Sequence, residues 1–296
     1  MPRYAILSDI HGNLEALEAV LSHAEQQGID GLWFLGDVVV YGPDPAACVE
    51  RLREAFDRWP HVAISGNNDL AIAGAQEPEQ LIGDWGVQAG IVDLKDPRVA
   101  ELKRYVTATD LSHRWTLEQL SDDQRAWLAQ LPTSAQYPLE GVMMVHASPC
   151  EPTGTEGNYL HDTPDAEEAW LSLPDDRPLC FFGHTHRATV FRRVVETRKY
   201  DNTEKISKPR EPVQVDDRPL LVNPGSVGQP RDGAPPRACY AIYDTDESQV
   251  YFHRLEYDVE RTIEKLREIQ SQFPGEKEED NRISIDVLVE RLRKAE

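Results

Sequence analysis

"YAILSDIHGNLEALEAVL", residues 4–21, changes its period halfway along. Its first half belongs to a short apolar run over 3–9, which reads as a strand. From residue 13 onward, apolar residues fall at 14, 17, 20, 21 and 24, the stripe of an amphipathic helix. Asn13 is a fitting N-cap and Gly28 a fitting stop, so a helix is expected over 13–28. Asp9 and His11 sit on the turn between the two elements. The same succession repeats downstream. "GLWFLGD" (31–37) reads as a strand, "PDPAACVERLREAF" (43–56) as a helix with Pro45 near its first turn, and "HVAIS" (61–65) as a third strand. A βαβαβ order implies a parallel sheet with right-handed crossovers.

The rest of the chain is strand-rich. Residues 73–115 are a less legible insert, in which helical pieces are expected, one near 97–106. "SDDQRAWLAQL" (121–131) reads as a helix with a capping box from Ser121 to Gln124. Strands are expected at 141–147, 178–184, 188–194, 219–223, 237–245 and 249–257. Residues 196–218 form a polar excursion, a long exposed hairpin or mobile loop. Two closing helices are expected at 259–271 and 284–294, with Asp258 and Ser284 as caps. The expected organisation is an α/β domain over 1–257 and a helical extension, 258–296, packed on it.

The 296 residues carry 52 acidic against 31 basic side chains, a net charge of -21. Such a surface repels nucleic acid and anionic membranes as bulk partners. It does not forbid a phosphate substrate, because bound cations invert the local field. No apolar run approaches the roughly 20 residues of a membrane helix, and the N-terminus lacks a signal-peptide pattern. Cys48, Cys150, Cys180 and Cys239 are scattered without a CxxC pair, so reduced thiols and a cytoplasmic location are expected.

Several ligand-type residues stand where an apolar strand ends. Asp9 and His11 follow "YAIL", Asp37 follows "LWFLG", His146 follows "VMMV", and His184 and His186 follow "CFFG". In open α/β sheets the crevice at strand carboxyl ends is where ligands bind. Each residue alone has an ordinary reading, as a core histidine or a helix cap. Their conjunction points to metal. Imidazole and carboxylate without thiolate suit Mn, Fe, Zn, Co or Ni. The ligands are too many for one ion with open positions, so two ions about 3.5–4 Å apart, sharing one carboxylate, are expected. Such a pair acidifies the water between its ions, and the resulting hydroxide can attack phosphorus in line.

"DIHGN" (9–13), "GDVVVYGPDP" (36–45), "GNND" (66–69), "VHASP" (145–149), "GHTH" (183–186) and "NPGSVGQPRDG" (223–233) follow one another in that order. Together they make the chain resemble the calcineurin-like metallophosphoesterases, over about residues 3–257. It is most similar to the bacterial and archaeal branch with phosphodiesterase, phosphatase and dinucleoside-polyphosphate hydrolase members. The resemblance implies a four-layer α/β/β/α sandwich of two facing mixed sheets. It implies that Asp9, His11 and His186 hold a first metal ion, that Asp37 bridges, and that Asn67, His146 and His184 hold a second, with manganese the first choice of ion. The expected partner is a small phosphorylated substrate, nucleotides included.

The family pattern is usually G-N-H-D or G-N-H-E, whose His protonates the leaving oxygen or stabilises the transition state, with Asp69 expected to orient it. Here the position is Asn68, which hydrogen-bonds but cannot donate a proton near neutral pH. General acid catalysis supplies about 10²–10⁴ in rate, so its absence matters little for a good leaving group. Some small phosphodiesterases of the family carry Cys there and remain active. The expected substrate is therefore a phosphodiester or nucleotide polyphosphate. Phosphomonoesterase or protein phosphatase action, and a non-catalytic binding module, are the alternatives. Arg231 is a candidate phosphate clamp, since a planar guanidinium pairs two oxygens at once, and Ser226 a weaker substrate contact. "CEPTGTEGNYLHD" (150–162) is an expected pocket wall. His161 within it is either a substitute proton donor or a plain surface histidine.

Overall fold

Alternation along the strands divides the core into three apolar layers. The computed structural model describes residues 2–74, 98–156, 159–176, 178–194, 203–272 and 278–295. The elements are β1 (Arg3–Leu7), α1 (Leu14–Gln26), β2 (Gly31–Phe34), α2 (Pro45–Arg58), β3 (His61–Ala63), α3 (Asn67–Ala73), α4 (Arg98–Gln119), α5 (Asp122–Leu128), β4 (Val142–Met144), α6 (Thr163–Ser172), β5 (Leu179–Phe181), β6 (Thr189–Arg193), β7 (Thr203–Ser207), β8 (Val213–Gln214), β9 (Leu220–Asn223), β10 (Ala238–Asp244), β11 (Gln249–Leu255), α7 (Val259–Gln272) and α8 (Glu278–Lys294).

On β1, Ala5 and Leu7 join one apolar cluster and Ile6 another. On β2, Leu32 and Phe34 follow the first, Trp33 the second. β5 and β9 give Leu179, Phe181, Leu220 and Val222 to the same middle cluster, and Cys180 and Leu221 to a third. Successive side chains of a strand point to opposite faces, so both sheets are buried on two sides. That is why these strands read as unbroken apolar runs rather than alternating ones. The outer face of the first sheet is covered by helices including α1 and α2, that of the second by Ala166, Ala169 and Trp170 of α6. The result is an α/β/β/α sandwich of two mixed sheets.

The first sheet has the order β3-β2-β1-β10-β11-β8 and the second β4-β5-β9-β6-β7. β1, β2 and β3 are parallel, as the βαβαβ reading requires, and β10 runs antiparallel to β1. β4, β5 and β9 are parallel to one another, with β6 antiparallel to β9. The carboxyl ends of β1, β2 and β3 therefore share one edge of the first sheet, and those of β4, β5 and β9 one edge of the second.

Several expectations are extended or corrected. A helical piece near 97–106 is the start of the 22-residue α4. This helix packs against α2, α3 and α8, so its apolar residues are not confined to one stripe. Its Ser112 accepts the backbone N–H of Tyr41 and its Trp115 donates to the Pro43 carbonyl at 2.9 Å, bracing the β2–α2 loop. Residues 75–97 of the insert lie outside the described residues. Ser284 does not cap the last helix, because α8 begins at Glu278 and Ser284 lies inside it. Asp258 does cap α7, accepting the Arg261 N–H at 3.0 Å. The polar excursion takes its hairpin alternative over the described residues 203–218, and 196–202 lie outside the described residues. Residues 203–207 pair with β6, and β8 crosses to the first sheet and pairs with β11. Helices α3 and α6 were not expected at all. Among the described residues, no helix is long and apolar enough to cross a membrane.

A half-buried histidine, His253, lies on β11 away from the candidate ligands. The His253 ring stacks on Tyr240 with centroids 4.9 Å apart and lies 4.9 Å from the ring of His23, while its Nε2 is buried without a partner. Burial first, and the charge of His23 second, push its pKa down to about 4. The folded chain then binds fewer protons than the unfolded chain, in which histidine titrates near 6.5, so stability falls as pH drops from about 6.5 toward 4. After discounting for partial exposure, His253→Phe is expected to recover about 1–2 kcal/mol near the lower end of that window. Urea midpoints at pH 7 and pH 4.5 check this. An equal acid loss in parent and variant would remove His253 as a contributor.

Candidate metal centre

The turns leaving the parallel strands are strained. Asp9, His11, Asp37, His184 and His186 have φ of 55°, 48°, 61°, 63° and 58°. A side-chain-bearing residue in this left-handed region costs on the order of 1–3 kcal/mol, and persists only where its surroundings over-determine it. They do so here. Asp9 N–H donates to Gly36 O, His11 N–H to Asp37 O, Gly228 N–H to Asp9 O and Arg231 N–H to His186 O, each at 3.0 Å. Ser226 donates its hydroxyl to Asp9 O at 2.7 Å and accepts the Gln229 N–H at 2.8 Å. Ser226 is fully buried, so its hydroxyl holds the Asp9 turn, and the expected substrate contact gives way to that bracing role.

These turns bring together two buried groups, Asp9, His11 and His186, and Asp37, His146 and His184. In each, ligand-type atoms lie within 4.8 Å of one another. Asp37 stands between the groups, with Oδ2 3.6 Å from His11 Nε2 and 3.5 Å from His146 Nε2. Asn67, at the start of α3, brings its Oδ1 to 3.2 Å from His146 Nε2. All seven residues singled out as ligands thus converge, from both sheets.

The hydrogen bonds define which nitrogens face inward. His11 Nδ1 lies 3.0 Å from Val39 O, His146 Nδ1 2.7 Å from Leu35 O, and His186 Nδ1 2.7 Å from Gln229 O. A carbonyl only accepts, so each Nδ1 carries the proton and each Nε2 presents a lone pair. Yet His11 Nε2 and His186 Nε2 are 3.1 Å apart, acceptor against acceptor. Asp9 Oδ1, 3.3 Å from His186 Nε2 and 3.8 Å from His11 Nε2, is buried with no hydrogen-bond partner. Protonating the imidazoles would relieve the clash, but burial holds His11, His184 and His186 well below the usual histidine range. Burial likewise pushes the carboxyls of Asp9 and Asp37 up. A buried cluster in which Asp9 Oδ1 and facing imidazole Nε2 atoms converge as acceptors with no donor between them is the ligand set of a cation site, so these residues fit metal ions.

Asn68 and Asp69 have other geometry than expected. Asn68 is buried at 5% exposure, and donates its backbone N–H to Asp37 Oδ1 at 2.9 Å and its amide Nδ2 to Asp37 Oδ2 at 2.7 Å. Asp69 does not orient the side chain at 68. Its carboxylate accepts the backbone N–H groups of Asp37 at 2.7 Å, Val38 at 2.9 Å and Gly66 at 3.2 Å, tying α3 to the Asp37 turn. Gly66 is required by close approach, since a Cβ there would lie 2.1 Å from Asp37 Oδ1.

Around this centre stand further aromatic and basic groups, among which Tyr41 and Arg291 were not singled out from the sequence. Tyr159 stacks on His184 at 4.1 Å between centroids, and His161 stacks on Tyr159 at 5.1 Å. His161 itself is exposed. The ring of Tyr41 meets His11 edge-on at 4.8 Å, and Arg291 of α8 lies over that ring at 5.2 Å. Nothing in sequence spacing marks them, since each reaches the centre through a loop or a distant helix. Arg231 is half-buried, with Nη2 3.3 Å from Gln229 Oε1 and Nε buried without a partner. Burial, and the nearby charge of Arg291, lower its pKa to about 10. Cys150, Tyr159 and His161 line a cleft of about 300 Å³ whose lining includes none of the candidate ligands.

The comparisons agree with this geometry. A calcineurin-like phosphoesterase superfamily domain matches residues 3–248. The crystal structure of a metallophosphoesterase from Sphaerobacter thermophilus is 34% identical, with a TM-score of 0.72 over 98% of each chain. An uncharacterised protein of Methanocaldococcus jannaschii is 30% identical over 264 residues, 88% of this chain and 90% of that one. The symmetrical bis(5'-nucleosyl)-tetraphosphatase of Pseudomonas entomophila is 29% identical over 178 residues, 60% of this chain and about half, 51%, of that protein. The chain belongs to the calcineurin-like phosphoesterase superfamily and is a hydrolase of that metal-dependent family.

Proposed function

We propose that this chain hydrolyses phosphodiester or nucleotide-polyphosphate substrates with two divalent ions, manganese first among them, held by Asp9, His11 and His186 and by Asn67, His146 and His184, with Asp37 shared. The observation that carries this is the cluster of facing acceptors, above all the unpartnered Asp9 Oδ1 and the 3.1 Å contact of two imidazole lone pairs. Two such ions supply Lewis acidity toward phosphate oxygens and acidify a water for in-line attack. The protein's part is to fix the donors. The carbonyls of Val39, Leu35 and Gln229 hold three imidazoles in one tautomer and orientation. Arg231, whose backbone N–H donates to His186 O and whose Nε is buried without a partner, would supply a positive charge beside them for anionic oxygens. Asn68 supports the charge on Asp37 and brings no transferable proton, which favours substrates whose leaving group departs unaided. The likeness to the tetraphosphatase supports the nucleotide arm of this reading.

Metal-stripped protein reloaded with manganese is expected to hold two ions per chain by elemental analysis. It should then hydrolyse bis(p-nitrophenyl) phosphate and diadenosine tetraphosphate, and chelation should abolish both activities. A chain that takes up no transition metal would instead be a binding module on this fold.

A further inference from the structure

The acidic charge of the chain is not evenly spread. Beside the turn that carries His184 and His186, a cleft of about 600 Å³ is lined by Thr185, Arg187, Lys205, Lys208 and Arg231. Four cations around one cavity stand out in a chain of net charge -21. Asp162 and Asp232 also line the cleft, but Asp162 is paired with Lys205 at 2.9 Å, and Asp232 with Arg254 at 2.9 Å. Among the described residues, Arg187 and Lys208 have no ion-pair partner, and Arg231 Nε is buried unpaired. Arg187, Lys208 and Arg231 thus line one cleft without a direct ion-pair partner, an arrangement whose mutual repulsion an anion would relieve. The cleft adjoins the candidate metal centre. Thr185 lies between two ligand histidines, Arg231 N–H donates to His186 O at 3.0 Å, and the Arg231 charge acts on Asp9 and Asp37. A phosphate at the centre would leave the rest of an anionic chain lying past Arg231 toward Arg187 and Lys208.

We propose that this cleft is a subsite for an oligophosphate chain, so that the preferred substrate carries further phosphates beyond the scissile one. The inference deepens the phosphoesterase reading and rests on it for the chemistry, though not for the binding. Arg187 and Lys208 would be specificity-determining contacts, each to a phosphate distant from the reacting phosphorus.

Titration of inorganic tripolyphosphate into chelator-treated protein tests the cleft without catalysis. Saturable binding is expected, with orthophosphate at least about tenfold weaker, because charge-assisted contacts to several phosphates add. The double variant Arg187→Glu, Lys208→Glu should weaken tripolyphosphate about a hundredfold, and the neutral pair Arg187→Gln, Lys208→Gln about tenfold. In manganese, the charge-reversed pair should lower the kcat/KM ratio of diadenosine tetraphosphate to bis(p-nitrophenyl) phosphate by about thirtyfold or more, chiefly through KM. Absence of saturable binding, or equal binding by both double variants and the parent, would overturn the proposal. Tripolyphosphate binding without hydrolysis of any phosphate ester would keep the cleft and remove the phosphoesterase reading. Diester hydrolysis without tripolyphosphate binding would do the reverse.

Discussion

Asp9→Asn, stripped of metal, is expected to melt above the parent chain while losing almost all activity. Asp9 Oδ2 accepts the Ser8 hydroxyl at 2.6 Å and the His184 N–H at 3.1 Å, which an asparagine oxygen can also do. Asp9 Oδ1 has no donor and faces two imidazole lone pairs. An amide –NH₂ in its place donates where an acceptor now meets acceptors, and a buried charge disappears. Asparagine also tolerates the φ of 55° at this position. Relief of an unsatisfied buried group is worth about 1–3 kcal/mol, and therefore a few degrees in Tm for a chain of this size. Loss of an anionic ligand works the other way on catalysis, where several kcal/mol of transition-state stabilisation correspond to about 10³ or more in rate. Manganese should raise the Tm of the parent far more than that of the variant, because only the parent binds it tightly. The experiment is a pair of melts with chelator and with manganese, beside diester kinetics. A variant that melts at or below the parent in chelator would show that Asp9 Oδ1 is not an uncompensated charge, and would remove the main physical argument for cations at this site.

The opposition of stability and function at Asp9 also explains which features were legible in sequence. Ligand residues are of unusual type for the end of an apolar strand, so Asp9, Asp37, His146 and His184 stood out against "YAIL", "LWFLG", "VMMV" and "CFFG". The parallel order of β1, β2 and β3 followed from period and spacing, because a βαβ crossover has few alternatives. What escaped was whatever depends on backbone conformation or on contacts between distant segments. The left-handed turns at His11 and His186 have no sequence signature, since neither residue is glycine. Asp69 resembled a partner for residue 68, and only the fold shows its carboxylate occupied by three backbone amides. α3 is too short for a periodic pattern, and α6 carries its buried residues Ala166, Ala169 and Trp170 among acidic ones. The basic cleft was invisible because Arg187, Lys205, Lys208 and Arg231 belong to different strands and loops, and meet only when β6, β7 and the 223–233 turn pack together.

Asn68→His is expected to change which substrates react rather than how fast the best one does. In the parent chain the Asn68 amide is turned onto Asp37 Oδ2 at 2.7 Å, and the side chain has no proton to transfer. An aryl oxide or a nucleotide phosphate leaves without assistance, so a bis-aryl phosphodiester should stay within about threefold of the parent rate, little acid catalysis being available to it. An alkyl phosphate ester expels a strongly basic oxygen, and its parent turnover should be slow. A histidine within reach of that oxygen should raise alkyl ester turnover by about a hundredfold or more, toward the 10²–10⁴ of a positioned general acid. The gain should fade as pH rises through the imidazole pKa, because only the protonated ring donates. The bis-aryl reaction should show no such limb. The substitution also removes an amide donor from Asp37, so metal content must be measured in parallel. Reduced manganese with reduced bis-aryl turnover would mean that the Asn68 hydrogen bond is needed to hold the shared carboxylate. Fast alkyl ester turnover by the parent chain would sink the leaving-group argument. The expected result, slow alkyl and fast aryl turnover in the parent with only the alkyl rate rising in the variant, would make Asn68 the residue that restricts this centre to good leaving groups.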